Sequence, residues 1–167
     1  QQAPNGSVFN SVGLTALSLR AILENPRGVS DADKAAIERY AAFIASKANP
    51  DGSIVEIKHD ESYNTAVAIT ALALTKDPKY APLIASGQKY ITKQQVGEDR
   101  GFMPVDNWYG GLGYGGDERP DMSNLYIALE SLRDRLAQVD DLAKKGTWQI
   151  ETLKQSRQEL DVLKKEI

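Results

Sequence analysis

The sequence predicts an all-α protein whose helices pair into hairpins that repeat along the chain. Apolar runs alternate with amphipathic runs, and each is long enough to form a helix. Polar capping residues and Pro or Gly breakers separate these runs. The apolar runs also align, so that Ala16, Ala68 and Ala128 fall together, at spacings of 52 and 60 residues. Leu17, Ile69 and Leu129 then coincide as well, which indicates a repeat.

The first hairpin follows a polar lead-in over residues 1–9. Residues 11–23 are small and apolar on nearly every side, which is typical of a buried helix. A second helix is predicted over 32–47, with Ser30 as its cap and Asp33 at the capping-box position. This helix is amphipathic, and its apolar stripe consists of Ala36, Ile37, Tyr40, Ala41, Phe43 and Ile44.

The second hairpin follows a turn at residues 49–53, where Pro fixes φ and Gly allows a positive φ. Ser62 is predicted to cap a buried helix over 63–74. Asp77 and Pro78 end that helix, and a second amphipathic helix is expected over about 79–95. Its apolar residues are Leu83, Ile84, Tyr90 and Ile91.

A long loop over 96–121 leads to a third apolar helix, which Asp121 or Ser123 caps and which opens at Asn124. We therefore divide the chain into the lead-in, helical repeats over 10–133 and a C-terminal amphipathic helical segment over 134–167. Two interpretations of that segment stay open. It forms the outer helix of a third hairpin from Thr147, or it leaves the array and packs on a partner.

Composition excludes several classes of function. A net charge of −3 and a pI near 5.2 provide no basic surface for nucleic acid. No apolar run approaches the ~18 residues that a membrane-spanning helix needs. The absence of cysteine excludes disulfides, thiolate nucleophiles and sulfur-ligated metals.

The first residues, 1–6, contain neither an initiator Met nor a signal peptide. Two explanations fit this start: a mature end left by cleavage, or an arbitrary boundary. The first explanation favours an exported protein, either periplasmic or extracellular.

Four segments resemble the terpenoid-cyclase and protein-prenyltransferase toroid superfamily, particularly bacterial prenyltransferase/squalene-oxidase repeat proteins. They are NPDGSI (49–54), ESYNTAVAITALA (61–73), DPKYAPLI (77–84) and YGGLGYGGDERPDMSN (109–124). The resemblance covers residues 8–133. It implies a closed double ring of about six helical hairpins, of which this chain supplies at most three. The chain is therefore expected to form about half of an α/α toroid, with an open edge that a second copy or another protein must cover.

The residues that enzymes of this superfamily use for catalysis are missing here. Their cyclases protonate substrates with an Asp-x-Asp-Asp motif, which this sequence lacks. Asp31 and Asp33 belong to a predicted helix start, and Asp140–Asp141 lie in the divergent tail. The prenyltransferases hold zinc with Asp, Cys and His, whereas this chain has no Cys and a single histidine, His59. We therefore predict no catalytic residue, no metal site and no cofactor.

The long loop concentrates aromatic and charged residues where the third apolar helix begins. Loops of this length are often functional, and Trp and Tyr among glycines suit ligand or protein contacts. The start of the second apolar helix is expected to line the same opening. The candidate ligand- or partner-binding residues are Tyr63, Asn64, Asp106, Trp108, Tyr109, Tyr114, Asp117 and Arg119. In the structural alternative, the aromatic residues close the end of the array and Arg119 pairs with Asp121 or a neighbouring carboxylate.

These inferences predict a non-catalytic structural or protein-interaction module within a larger assembly, with another protein or a further copy as its partner. The alternative is a protein that binds or converts an isoprenoid or another apolar ligand, with the missing wall of its cavity supplied by another chain.

Overall fold

The computed structural model describes residues 2–57, 59–115 and 119–144. Within these ranges the chain forms five α-helices and no β-strand, which confirms the all-α class. The helices are α1 (Val12–Leu23), α2 (Asp31–Ala45), α3 (Glu61–Leu74), α4 (Ala81–Gln94) and α5 (Met122–Lys144). The chain divides into two units after Leu132, and the packing described below is that of the first unit. The helix predicted from Thr147 lies outside the described residues.

Serine caps begin the first two helices. Ser11 Oγ accepts a hydrogen bond from the Leu14 N–H at 3.3 Å. The predicted capping box at α2 is confirmed, and Asp33 Oδ2 accepts from the backbone N–H of Ser30 at 3.0 Å and from its hydroxyl at 2.6 Å. The hydroxyl bond makes the larger contribution and the backbone bond the smaller one, and together they hold the pKa of the Asp33 carboxyl below its usual value. Local sequence therefore decides where α1 and α2 start.

The start of α3 differs from the prediction, because Ser62 does not cap it. The helix begins at Glu61 after Asp60, and Ser62 lies fully buried in its first turn. The Ser62 N–H donates to the carbonyl oxygen of Tyr114 at 2.8 Å. A carbonyl from a distant loop thus satisfies a backbone donor that a local cap was expected to satisfy.

Short-range caps also set the starts of α4 and α5. A 3₁₀ turn (Pro78–Tyr80) precedes α4, and Asp77 Oδ1 accepts from the Lys79 N–H at 3.0 Å. Before α5, Asp121 Oδ1 accepts from the Asn124 N–H at 3.0 Å. Of the two predicted caps, Asp121 is therefore the residue that caps α5, while Ser123 lies inside the helix.

The centre of the first unit is α3, whose middle and last turns are buried on every side, as its all-round apolar sequence predicts. The same prediction is wrong for α1. Leu14 and Leu17 remain 46% and 42% exposed, because α1 packs against α2 and α3 and keeps a third side uncovered by described residues.

The amphipathic helices α2 and α4 bury their apolar stripes against this centre. In α2, Tyr40, Ala41, Phe43 and Ile44 are buried, while Ala36 and Ile37 are partly buried against the same core. In α4, Ile91 joins a smaller cluster with Ala66 of α3, Leu112 and Ala128 of α5. Each stripe therefore stabilises its helix through tertiary packing rather than through intrinsic propensity.

A bidentate ion pair and a side-chain hydrogen bond connect the described side of α5 to α1 and α4. Arg20 of α1 and Glu130 of α5 form a bidentate ion pair, with both N–O distances at 2.9 Å. The Gln88 amide of α4 donates to the Ser131 carbonyl at 3.1 Å and is itself buried. These contacts place the first turns of α5 beside both α1 and α4.

The same turn occurs twice, before α1 and before α3. In the segment 3–7, Ala3 N–H donates to Ser7 O and Gly6 N–H to Ala3 O, at 2.8 and 2.9 Å. In the segment 49–53, Asn49 N–H donates to Ser53 O and Gly52 N–H to Asn49 O, at 2.8 and 3.0 Å. Both serines are fully buried, and both glycines have a positive φ, +83° and +95°. We call this unit the Asx-Gly-Ser turn.

A buried threonine anchors the residue that follows each Asx-Gly-Ser turn. Thr15 Oγ1 of α1 accepts from the Val8 N–H, and Thr65 Oγ1 of α3 accepts from the Ile54 N–H, both at 2.9 Å. These bonds match Thr15 with Thr65, a spacing of 50 residues rather than the 52 of the sequence alignment. The first two hairpins therefore share their turn, their anchor and their helix order.

The three aligned alanines, Ala16, Ala68 and Ala128, are all buried. The next aligned position is not equivalent, since Ile69 is buried whereas Leu17 and Leu129 are exposed. The aligned positions thus share small side chains at helix contacts, but only α3 is covered on both flanks.

Candidate functional site

Three loops lie together at the end of the unit where α1, α3 and α5 begin. They are the described residues of three segments, 3–11, 46–60 without 58, and 95–121 without 116–118, and we call their surface the loop face. Glu56 Oε2 accepts from the Val12 N–H at 3.0 Å, which joins the second loop to α1. The third loop reaches α3 through the Tyr114–Ser62 bond and α5 through the bond from the Asn124 N–H to Asp121 Oδ1 at 3.0 Å.

Exposed large hydrophobic residues are concentrated on the loop face. They are Phe9, Ile57, Met103, Val105, Trp108, Tyr109, Tyr114 and, at the first residue of α5, Met122. Phe9 and Val105 are the extremes, with 86% and 90% of their surface exposed. In the two loops at the opposite end, 24–30 and 75–80, Val29 is the only such residue. Exposed apolar patches are found more often at interaction sites than elsewhere on monomeric proteins.

Trp108 and Asp106, two of the predicted residues, line a shallow hollow with Gly101, Phe102 and Asn107. We call it the Trp108 hollow, and its volume is about 450 Å³. The Phe102 and Trp108 rings have centroids 6.2 Å apart and planes tilted by 36°. Asp106 Oδ2 accepts from the Met103 N–H at 2.6 Å, which fixes the carboxylate beside the rings.

Tyr109 faces a different group. Its hydroxyl donates to Glu98 Oε1 at 2.7 Å, and its backbone N–H donates to the carbonyl oxygen of Asp106 at 3.0 Å. The hydroxyl bond lowers the pKa of the exposed Glu98 carboxyl, and the backbone N–H of Glu98 adds to this. Tyr109 therefore helps to close the loop onto the short helical turn at Glu98–Arg100.

Tyr63 and Tyr114 come together at the start of α3, with ring centroids 5.9 Å apart. The predicted neighbour Asn64 points elsewhere, toward α1. A Cβ built on Gly13 would lie 2.6 Å from Asn64 Oδ1, so this asparagine is a packing contact between two helices. Tyr63 and Tyr114 form the inner part of the loop face, and Tyr114 is the more exposed ring.

The remaining predicted residues lie near the start of α5. Arg119 is exposed and forms no ion pair with Asp121 or any other residue in the described ranges. Asp117 lies outside the described residues. Burial alone would raise the pKa of Asp121, but hydrogen bonds from Asn124 and Ser123 outweigh it and hold that pKa below its usual value. Asp121 is therefore a helix cap rather than a partner of Arg119.

Three buried polar atoms beneath the loop face have no hydrogen-bond partner among the described residues: Glu61 Oε2, Ser62 Oγ and Asn124 Oδ1. Tyr90 of α4 lies nearby. Its pKa is raised to about 12, chiefly by burial and then by the negative charges of Glu61 and Asp51. Sequence reasoning missed this polar layer, because Ser62 and Asn124 were interpreted only as parts of helix starts.

Sequence reasoning also missed a groove between α1 and α5, which we call the α1–α5 groove. Its volume is about 570 Å³. The groove is lined by Leu17, Arg20, Val67, Met122, Ser123, Tyr126, Ile127 and Glu130. Arg20 is held there by ion pairs with Glu130 and Glu24. These two carboxylates, Glu130 more than Glu24, raise the pKa of Arg20 above its usual value. The exposed leucines of α1 were the sequence signal for this groove.

Few groups suited to catalysis are brought together. Among the described residues, no three His, Asp or Glu side chains are placed to share a metal ion. His59 is exposed, and its Nδ1 lies 2.9 Å from Asp60 Oδ1. None of the described helices is both long and apolar enough to span a bilayer.

Comparison with known proteins gives no match: no family model, no curated protein and no solved structure is significantly similar to this chain.

Proposed function

We propose that this chain is a non-catalytic interaction module that joins a larger assembly through its loop face. The observation that carries this proposal is the asymmetry between the two ends of the helices. The exposed apolar and aromatic residues gather at one end, and the opposite end has almost none. Monomeric proteins rarely leave large contiguous apolar patches exposed, whereas interfaces have an apolar and aromatic centre within a polar rim.

The way the residues are held supports a preformed contact surface. The third loop is tied to α3 by Tyr114, to α5 by the Asp121 cap and to α4 by a bond from Arg100 Nη1 to Gln94 O at 3.1 Å. A loop fixed at three points loses little conformational entropy when a partner binds. Trp and Tyr also provide large contact area with few rotatable bonds.

The repeat architecture is part of the same proposal. Two hairpins that share the Asx-Gly-Ser turn and its threonine anchor support an array of like units, as in half of an α/α toroid. In this arrangement α1, α3 and α5 form the inner layer, and α2 and α4 form the outer layer. The exposed sides of α1 and α5 are then the open edge that a second copy or another chain covers.

The test is the mass of the chain isolated under native conditions from cells that produce it. Light scattering is expected to give a mass above the 18.3 kDa of one copy. Val105→Asp on the loop face is expected to release the partner, because it places a charge in an apolar interface. Val29→Asp at the opposite end is the matched control and leaves the mass unchanged. A single copy with no second component refutes the proposal.

The α1–α5 groove favours a second candidate, the binding of an isoprenoid or similar apolar molecule. Its volume of about 570 Å³ lies in the range of small-molecule sites, and Leu17, Val67 and Ile127 provide apolar walls. Titration with farnesol, followed by calorimetry, tests this function. Leu17→Asp is expected to abolish binding, whereas Val105→Asp is expected to preserve it. Equal heats from farnesol and from buffer exclude this candidate.

A further inference from the structure

We propose that the Trp108 hollow binds a basic side chain, the ammonium of Lys or the guanidinium of Arg, presented by a protein partner. This inference rests on the proposed function and specifies the chemistry of the partner. Two aromatic rings and a carboxylate meet in one open hollow, and that combination recognises organic cations.

The rings provide the first part of the site. Trp108 is 44% exposed, and Phe102 is partly exposed beside it. With centroids 6.2 Å apart and planes tilted by 36°, the two rings are not stacked face to face. A cation within about 6 Å of an indole centroid is attracted by the negative face of the ring, and Trp is the strongest of the aromatic side chains in this respect.

Asp106 provides the second part. Its Oδ2 is held by the Met103 N–H, so the carboxylate is oriented before any partner arrives. Its Oδ1 accepts no hydrogen bond from a described residue, and Asp106 lines the hollow together with both ring-bearing residues. The oxygen is therefore free to accept a charge-assisted hydrogen bond from a basic side chain.

Arg100, the basic residue closest to the hollow in sequence, forms no ion pair with Asp106 in the described ranges. Arg100 Nη1 donates to the carbonyl oxygen of Gln94 at 3.1 Å, which directs this guanidinium toward the end of α4. The site is therefore not an internal ion pair that a partner would have to displace.

The charge of the surrounding loop favours a basic protein and disfavours the other large ligands. Residues 95–121 contain six acidic and two basic side chains, a net charge of −4. The acidic residues are Glu98, Asp99, Asp106, Asp117, Glu118 and Asp121, and the basic residues are Arg100 and Arg119. This charge repels anionic membrane surfaces and nucleic acid, and it attracts a segment rich in Lys or Arg.

Two peptides that differ at one position provide the test. Both have apolar residues around a central position, which is lysine in one and norleucine, of similar length but uncharged, in the other. With ¹⁵N-labelled full-length protein, the lysine peptide is expected to shift the indole N–H signal of Trp108 and not that of Trp148. Calorimetry is expected to show the norleucine peptide binding about tenfold more weakly.

Two variants separate the parts of the site. Asp106→Asn keeps the acceptor for the Met103 N–H and removes only the charge, so the affinity for the lysine peptide is expected to fall about fivefold. Trp108→Leu keeps an apolar side chain and removes the ring, with a loss of about fivefold. Glu38→Gln, an exposed acid on α2, is the matched control and leaves the affinity unchanged.

Equal affinity for the two peptides overturns the inference, because the hollow would then bind by apolar contact alone. Binding of neither peptide also overturns it, as does binding to phosphatidylcholine–phosphatidylserine vesicles in place of the peptides. These outcomes are separate from failure of the proposed function. A native complex that loses its partner through Val105→Asp upholds the interaction module even when the lysine peptide does not bind.

Discussion

The loops before α1 and α3 differ sharply from the loop before α5. The first two contain the Asx-Gly-Ser turn, which two backbone hydrogen bonds close and whose serine is fully buried. The residue after each turn donates to a threonine on the next helix. The loop over 95–121 follows another pattern. It is longer, and its exposed residues include Val105 and Trp108.

This difference separates structural loops from a loop available for contact. Each Asx-Gly-Ser turn packs against an amphipathic helix, and both copies contact that helix through their glycine. A Cβ on Gly6 would collide with Arg39 O of α2, and one on Gly52 would lie 2.7 Å from Ser86 O of α4. The third loop also has a constrained glycine, Gly115, whose φ is +125° and whose Cβ would lie 2.9 Å from the backbone nitrogen of Glu61. Unlike the two turns, it also carries several exposed apolar and aromatic side chains.

The largest effect is expected where the Asx-Gly-Ser turns are broken. Gly52→Ala is predicted to lower the free energy of unfolding by about 3 kcal/mol, since the alanine meets both an unfavourable positive φ and a backbone carbonyl. Gly6→Ala is expected to lower the free energy of unfolding by a similar amount. Urea denaturation measures both.

Gly28→Ala is the control for that prediction. Gly28 also has a positive φ, +79°, but no atom lies within 4 Å of its Cβ position. Its substitution should cost only about 1 kcal/mol. Equal losses at Gly28 and Gly52 contradict the close approach of the turn to α4.

The second largest loss of stability is expected when either threonine anchor, Thr15 or Thr65, is replaced. Thr65→Val removes the acceptor for the buried Ile54 N–H and is expected to lower the free energy of unfolding by about 2 kcal/mol. Thr15→Val is expected to cause a similar loss, because it removes the acceptor for the Val8 N–H. Thr70→Val is the control, because the Thr70 hydroxyl only donates to Ala66 O within α3, and thermal melts should show a much smaller change.

A smaller effect depends on pH and tests the cap of the third loop. The pKa of Asp121 is lower in the folded than in the unfolded chain, so its ionised form stabilises the fold above the unfolded pKa of about 3.9. That contribution is lost as the pH falls through the folded pKa. Asp121→Asn keeps a capping side chain. Its melting temperature should therefore decline less than that of the parent below about pH 4, and parallel declines would contradict this role.

The smallest effect on stability is expected on the loop face. Val105→Ser should change the free energy of unfolding by less than about 0.5 kcal/mol, because the side chain is 90% exposed. Chemical denaturation of the isolated chain measures this. A loss as large as that of Thr65→Val would mean that the exposed residues are structural.

Much of the fold could be predicted because periodicity reports burial directly. The stripe of α2 and the all-round apolar sequence of α3 both correspond to covered surfaces. The same rule failed for α1, since an apolar face looks identical in sequence whether the chain itself or another molecule covers it. Leu14 and Leu17 stay exposed in the described unit.

The candidate site was predicted as a region, but not in its contacts. Glycine, tryptophan and tyrosine indicated the loop, yet no periodicity places Phe102 beside Trp108 or Tyr114 against Ser62. The repeated turn was visible in the sequence as Pro-Asn-Gly-Ser at 4–7 and Pro-Asp-Gly-Ser at 50–53. Comparison of the helices alone hid it, because the loops between turn and threonine differ in length.

The ion pair between Arg20 and Glu130 joins residues 110 positions apart. Because its partner lies on the fifth helix, Arg20 retains only Glu24 in any shortened version that stops before α5. The hairpins are therefore not interchangeable parts. A variant in which one hairpin is deleted, duplicated or moved must keep both Arg20 and Glu130 in contact. Otherwise the arginine loses its strongest counterion.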